Sequence, residues 1–165
     1  MMNTLEKLGA FNVWANDTVI ARLDEIVAAG QEVPAVCLRL FSHVLNAQAI
    51  WISRIGGQPQ PVKVWQEHDL ATCHALHQQT SEALHQLMAR ADETELQRRI
   101  FYTNSLGNSY DSAVHDILTH AVVHASYHRA QVATRLRDHN FEPVNSDFIT
   151  YCREQDAAGR AVPSL

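Results

Sequence analysis

Three histidines in one row are the residues of this chain best placed to do chemistry. His120, His124 and His128 stand in Ile117-Leu-Thr-His-Ala-Val-Val-His-Ala-Ser-Tyr-His-Arg-Ala-Gln131, at i, i+4 and i+8. Four residues advance about 400° along a helix, so the three imidazoles form a nearly straight line. Two imidazoles one turn apart can grip a single metal ion, and a third from another helix completes a site. His43 is the natural third ligand. Three neutral imidazoles leave at least one coordination position open, which is the arrangement of a catalytic rather than a structural site. Zinc or nickel suits such ligands, and manganese, iron or cobalt could also occupy them.

The helix carrying the row ranks its members. Val114, Ile117, Leu118, Ala121, Ala125, Val132 and Leu136 fall on one face at about 100° per residue. His128 lies roughly 40° from the centre of that face, His124 roughly 80° and His120 roughly 120°. The pair 124/128 therefore ranks above 120/124. On the helix that carries His43, the residues Cys37, Leu40, Val44, Ala47, Trp51 and Ile55 make the apolar face, with His43 at its border. A border position suits a ligand at the bottom of a cleft, and equally a partly exposed structural histidine. Pairs at i, i+4 also arise by chance on His-rich helices. Asp116 is placed either to orient His120 or to favour the helix N-terminal dipole. His68, His74, His77, His85, His115 and His139 lack partner spacing and are expected at the surface. Cys37 reads as a small core hydrophobe, Trp14 and Trp51 as core, and Trp65 as a cap on the core.

The elements that must position these residues read as helices. A first helix is expected over about Thr4 to Val27, with Gly30 as its stop. A second starts near Pro34, a residue favoured in the first helical turn, and runs to the Gly56-Gly57 break. The stretch from Val62 to Glu67 reads as irregular. A third helix covers about Leu70 to Arg90. Glu95 to Tyr110 holds turn formers around Gly107 and reads as a long crossover with a short hairpin. A fourth helix starts near Asp111 or Ser112 and ends about Arg137, and Asp147 to Gln155 forms a short terminal helix. The whole is an all-α four-helix bundle with one long crossover, a single domain over residues 1–165.

Composition narrows the function. The formal net charge of −5 and the absence of a basic stripe argue against a nucleic-acid partner. Small anionic substrates in a local pocket remain compatible with it. The N-terminal residues show no signal peptide, and no apolar run approaches the roughly 20 residues of a membrane span. The three cysteines are widely spaced without C-x-x-C, which fits a reducing cytoplasm. No dinucleotide fingerprint, phosphate loop, nucleophile elbow or H-E-x-x-H is present.

Two segments resemble the DinB/YfiT-like family of bacterial four-helix-bundle metalloproteins. One is Ser42-His43-Val-Leu-Asn-Ala-Gln-Ala-Ile-Trp51. The other is Leu118 to Gln131, whose His124-x-x-x-His128-Arg-Ala-Gln131 is similar to the family's H-x-x-x-H-R-G-Q signature. Asp147-Phe-Ile-Thr-Tyr151 resembles its closing segment. The resemblance implies that His43, His124 and His128 are the metal ligands and that His120 is a neighbour. Ala130 replaces the usual glycine; alanine keeps the helix but removes room for a close backbone contact. The resemblance further implies a metal-dependent thiol transferase that adds a low-molecular-weight thiol to small electrophiles, and a homodimer. A metal-dependent hydrolase, a non-enzymatic metal-binding stress-response protein and a bundle with incidental histidines are the competing readings.

Overall fold

A computed structural model describes residues 3–104 and 106–160, with the side chain of Arg160 excepted. Helices α1 (Thr4–Ala28), α2 (Ala35–Ile55), α3 (Leu70–Arg90) and α5 (Val114–Asp138) form the bundle. Between α3 and α5 lie a short helix, α4 (Glu93–Gln97), and the strands β1 (Arg99–Thr103) and β2 (Ser109–Ala113). Helix α6 (Phe148–Arg160) follows α5.

The helix starts are written locally. Asn3 accepts from the Glu6 amide at 2.8 Å while Glu6 reaches back to the Asn3 amide, a capping box. Asp69 and Asp92 cap α3 and α4 by accepting from the Thr72 and Glu95 amides at 2.8 Å. Gly9 lets α1 approach α3 closely, because a Cβ there would meet His85 Cδ2 at 3.0 Å and Met88 Sδ at 3.1 Å.

The expected hairpin is present, antiparallel, with Tyr102 opposite Tyr110 and Arg99 opposite Ala113. Its second strand takes residues 109–113, so the following helix begins at Val114 and not at Asp111 or Ser112. The terminal helix runs past Gln155 to Arg160. Trp14 and Trp51 are half-buried and not fully in the core.

Helix α1 packs on α3 and α5, and α2 packs on α3 and α5, which closes the bundle. Two apolar clusters fill it. One gathers Phe11, Leu84, Met88, Ile117, Leu118 and Tyr151; the other gathers Val19, Leu23, Phe41, Leu45, Val132 and Leu136. Of the buried polar residues, Asn16, Gln48 and Ser81 stand in the chain between positions of the two clusters, whereas Asn12 and Arg129 lie among positions of one cluster each. Among the described residues α2 is the one helix long and apolar enough to cross a membrane, by length and composition alone. That departs from the expectation that no stretch approaches span length. Its apolar face is packed inside the bundle, as in the core helix of a globular protein.

Candidate metal centre

Helices α2 and α5 run antiparallel along a shared seam. His43 faces His124 and His128, whereas Trp51, two turns further along α2, faces His120, two turns earlier on α5. Eight residues on each helix cover about 12 Å, so one register places both groups.

The structure brings His43, His124 and His128 together, with one ring nitrogen of each within 4.8 Å of the others, as a group that could hold a metal ion. Their ring centroids lie 4.5 to 4.9 Å apart. The Nε2 atoms of His43 and His124 are 3.2 Å apart. Zinc–nitrogen bonds of about 2.0–2.1 Å at tetrahedral angles place neighbouring nitrogens about 3.3–3.4 Å apart, so this separation fits an ion shared by the two rings.

The Nδ1 atoms explain which nitrogens are left. His43 Nδ1 donates to the Val64 carbonyl at 2.9 Å. His128 Nδ1 donates to Gln131 Oε1 at 2.8 Å, one turn along α5. Each bond leaves Nε2 as the bare, electron-pair-bearing nitrogen, and such partners fix ligand histidines in tautomer and orientation. His124 Nδ1 is buried with no hydrogen-bond partner among the described residues, so packing and the Nε2 contact with His43 orient that ring.

Burial sets the protonation. It holds His43 below the usual histidine range, opposed by the Val64 hydrogen bond and reinforced by repulsion from His128 and Arg39. Burial, then repulsion from His128, His43 and His120, pushes His124 down to about 3. Both rings are therefore neutral at neutral pH, the state a metal requires. No carboxylate is among the charges acting on either ring.

The sequence profile of the DinB family matches residues 1–159. The chain belongs to the DinB family. It is similar to Protein DinB of Bacillus subtilis (strain 168), with 26% identity over 163 residues, spanning 88% of this chain and 91% of that protein.

In this DinB-family chain the exposure of the histidine row follows the helical wheel. His128 is buried, His124 half-buried and His120 exposed. His43, a border position on α2, is only 5% exposed. The reason lies outside its helix. Trp65 stacks on it at 3.7 Å with planes 7° apart, so Trp65 covers the histidine and not the apolar core, and is itself 47% exposed. The segment bearing Trp65 is irregular, as expected, and is fastened to α2. Asn46 donates to the Gln66 carbonyl at 2.7 Å, His68 Nε2 donates to Asn46 Oδ1 at 2.8 Å, and the His68 amide donates to Ser42 Oγ at 3.1 Å.

His68 is thus half-buried and structural and not a surface residue. His77 departs further from expectation: it is buried, between Asp17 and Ser81. His85 is half-buried against α1 at Gly9. His74, His115 and His139 are exposed as expected. Asp116 lies 3.6 Å from His115 and does not orient His120. Ala130 is exposed, so its methyl group meets solvent where the family's glycine is replaced. Gln131 is a partner that spacing could have supplied, three residues after His128. Val64 and Trp65 could not be placed so, because a loop of irregular backbone brings them in.

Proposed function

We propose that His43, His124 and His128 hold one divalent ion, zinc or nickel, and that the protein transfers a low-molecular-weight thiol to small electrophiles. The observation that carries the reading is the convergence of three imidazole nitrogens within 4.8 Å of one another, in a group that contains no carboxylate. Such a ligand set leaves the full positive charge of an ion to an incoming anion. When bound there, a divalent ion would lower the pKa of a coordinated thiol and favour its thiolate, the nucleophilic form.

The chain's own residues prepare that position. Val64 and Gln131 hold the tautomers of His43 and His128, and Trp65 shields one face of His43 from water. Hydrolysis is the weaker reading, because it needs a general base to manage the proton of an attacking water, and no Asp or Glu acts on His43 or His124.

The test is the metal content of tag-free protein by plasma mass spectrometry, followed by turnover of a monochlorobimane-type electrophile with and without added thiol. About one ion per chain and thiol-dependent turnover lost in His43→Ala are expected. Stoichiometric metal without turnover for any thiol would leave a metal-binding protein and defeat the transferase. Absence of metal after reconstitution with zinc and nickel would defeat the site.

A further inference from the structure

Next to the candidate centre a line of aromatic side chains, His120 exposed and Trp51 and Tyr102 half-buried, ends on a cation. His120 lies 5.3 Å from His124, Trp51 lies 5.5 Å from His120, and Tyr102 of β1 lies 5.1 Å from Trp51. The Arg54 guanidinium sits over Trp51 at 4.5 Å and over Tyr102 at 4.7 Å. The row runs unbroken from a candidate metal ligand to the hairpin.

Arg54 has unspent capacity. Its one hydrogen bond among the described residues is a long one, to the Thr103 carbonyl at 3.3 Å. Neighbouring Arg98 and Arg99 each hold a carboxylate, Glu95 at 2.6 Å and Asp111 at 2.7 Å. No described carboxylate lies within 4.0 Å of Arg54. Burial lowers its pKa from the ordinary arginine value, yet a guanidinium stays charged at neutral pH. A half-buried planar cation with free N–H groups matches a carboxylate, which it can take bidentately. Eleven residues separate Arg54 from His43, so the two lie within about 20° on α2. The guanidinium leans back over Trp51, which is about 12 Å along the helix from His43.

We propose that His120, Trp51 and Arg54 form a substrate strip for a small carboxylate with a flat apolar body, the carboxylate on Arg54 and the reacting end at the centre. The assignment rests on the site reading above and adds the class of molecule that site would serve. The flat body lies along Trp51 and His120, where ring faces and edges supply sequence-independent stacking. The span between centre and cation suits two linked aromatic rings. The chain's negative net charge does not oppose this, because Arg54 itself has no described carboxylate partner within 4.0 Å.

Biphenyl carboxylate and biphenyl carboxamide serve as probes, titrated into the full chain by tryptophan fluorescence and calorimetry. The carboxylate should bind about tenfold more tightly than the amide, the scale of one charged hydrogen-bonded contact. Arg54→Gln should erase that preference while leaving the amide unchanged. Arg54→Lys should keep part of the preference, and Trp51→Leu should weaken both probes. If Arg54 merely pins the hairpin, Arg54→Gln would move both probes alike or neither, and the proposal falls. No binding of either probe to wild type also overturns it. Metal content measured on the same samples separates the two claims. A chain without metal that still discriminates the probes keeps the strip and loses the centre; a chain with metal and no discrimination does the reverse.

Discussion

His77 and His128 are equally buried, at 8% exposure each. Each keeps Nδ1 on a side chain one turn further along its own helix, Ser81 Oγ for His77 and Gln131 Oε1 for His128, both at 2.8 Å. They differ at the other nitrogen. His77 Nε2 donates to Asp17 at 2.6 Å, so the ring is satisfied at both ends. His128 belongs instead to a group of three imidazoles that turn nitrogens towards one another. The difference separates a structural histidine from a ligand candidate: burial is the same, and what counts is whether the last nitrogen has a donor or acceptor within the protein.

The same contrast holds for the surroundings. His77 ends a network in which Arg129 donates to Asn12 at 2.9 Å and Asn16 at 2.8 Å, Asn12 donates to Gln48 at 2.7 Å, and Asn16 donates to Ser81 at 3.1 Å. Most donors there meet acceptors, Gln48 Nε2 and Arg129 Nε being the exceptions among the described residues, and one buried cation links, through its partners, four helices. Burial lowers the Arg129 pKa to about 9, which still leaves it cationic at neutral pH. In the imidazole cluster the one internal polar contact is between the Nε2 atoms of His43 and His124, at 3.2 Å, and the three rings form a group that could hold an ion.

The largest effect expected from this contrast is the loss of metal. His124→Ala should take bound zinc from about one ion per chain to none, since two ligands rarely retain it, while Arg129→Met should leave the stoichiometry intact. Plasma mass spectrometry on both variants decides; metal lost in both, or in neither, would erase the distinction. Arg129→Met should instead destabilise the fold by about 3 kcal/mol, read from urea unfolding. The side-chain oxygens of Asn12 and Asn16 are fully buried and would lose their donor, at about 1–3 kcal/mol each, reduced by removal of a buried charge.

Most of this contrast was legible in one region of the sequence and not in the other. Angles on the α5 wheel ordered His128, His124 and His120 by burial, because all three sit on one regular helix whose apolar face is unambiguous. The same reasoning failed for His77. Its partner Asp17 is 60 residues away on α1, and spacing along a single helix carries no information about a partner on another. His43 shows the intermediate case: its helix placed it at a border, and the irregular segment around Trp65 decided that it is covered. The hairpin was legible from its turn formers, but where β2 yields to α5 was set by pairing with β1, which local signals do not register.

A smaller effect is expected at the support of the centre. Gln131→Leu removes the acceptor that holds the His128 ring while keeping an apolar side chain of similar length. Zinc affinity should fall about 10- to 100-fold, the usual scale for the partner of a ligand histidine, with one ion still bound at saturation. A chelator competition measures it. Unchanged affinity would mean that packing, and not Gln131, orients the ring.

The smallest effect should come from the satisfied histidine. His77→Leu deprives Ser81 of one partner, but Ser81 keeps Asn16 at 3.1 Å. Asp17 is largely exposed, so water replaces the lost ring nitrogen at little cost. A destabilisation of about 1 kcal/mol is expected in urea unfolding, with zinc stoichiometry and affinity unchanged. Asp17→Asn should cost less still, because the amide oxygen continues to accept from Nε2–H. A shift of the unfolding midpoint as large as that of Arg129→Met would show that the network is held from its His77 end and not by the guanidinium. A change in zinc affinity would show that the two histidine regions are coupled through Gln48 and α2, and that partner satisfaction alone does not divide structure from site in this bundle.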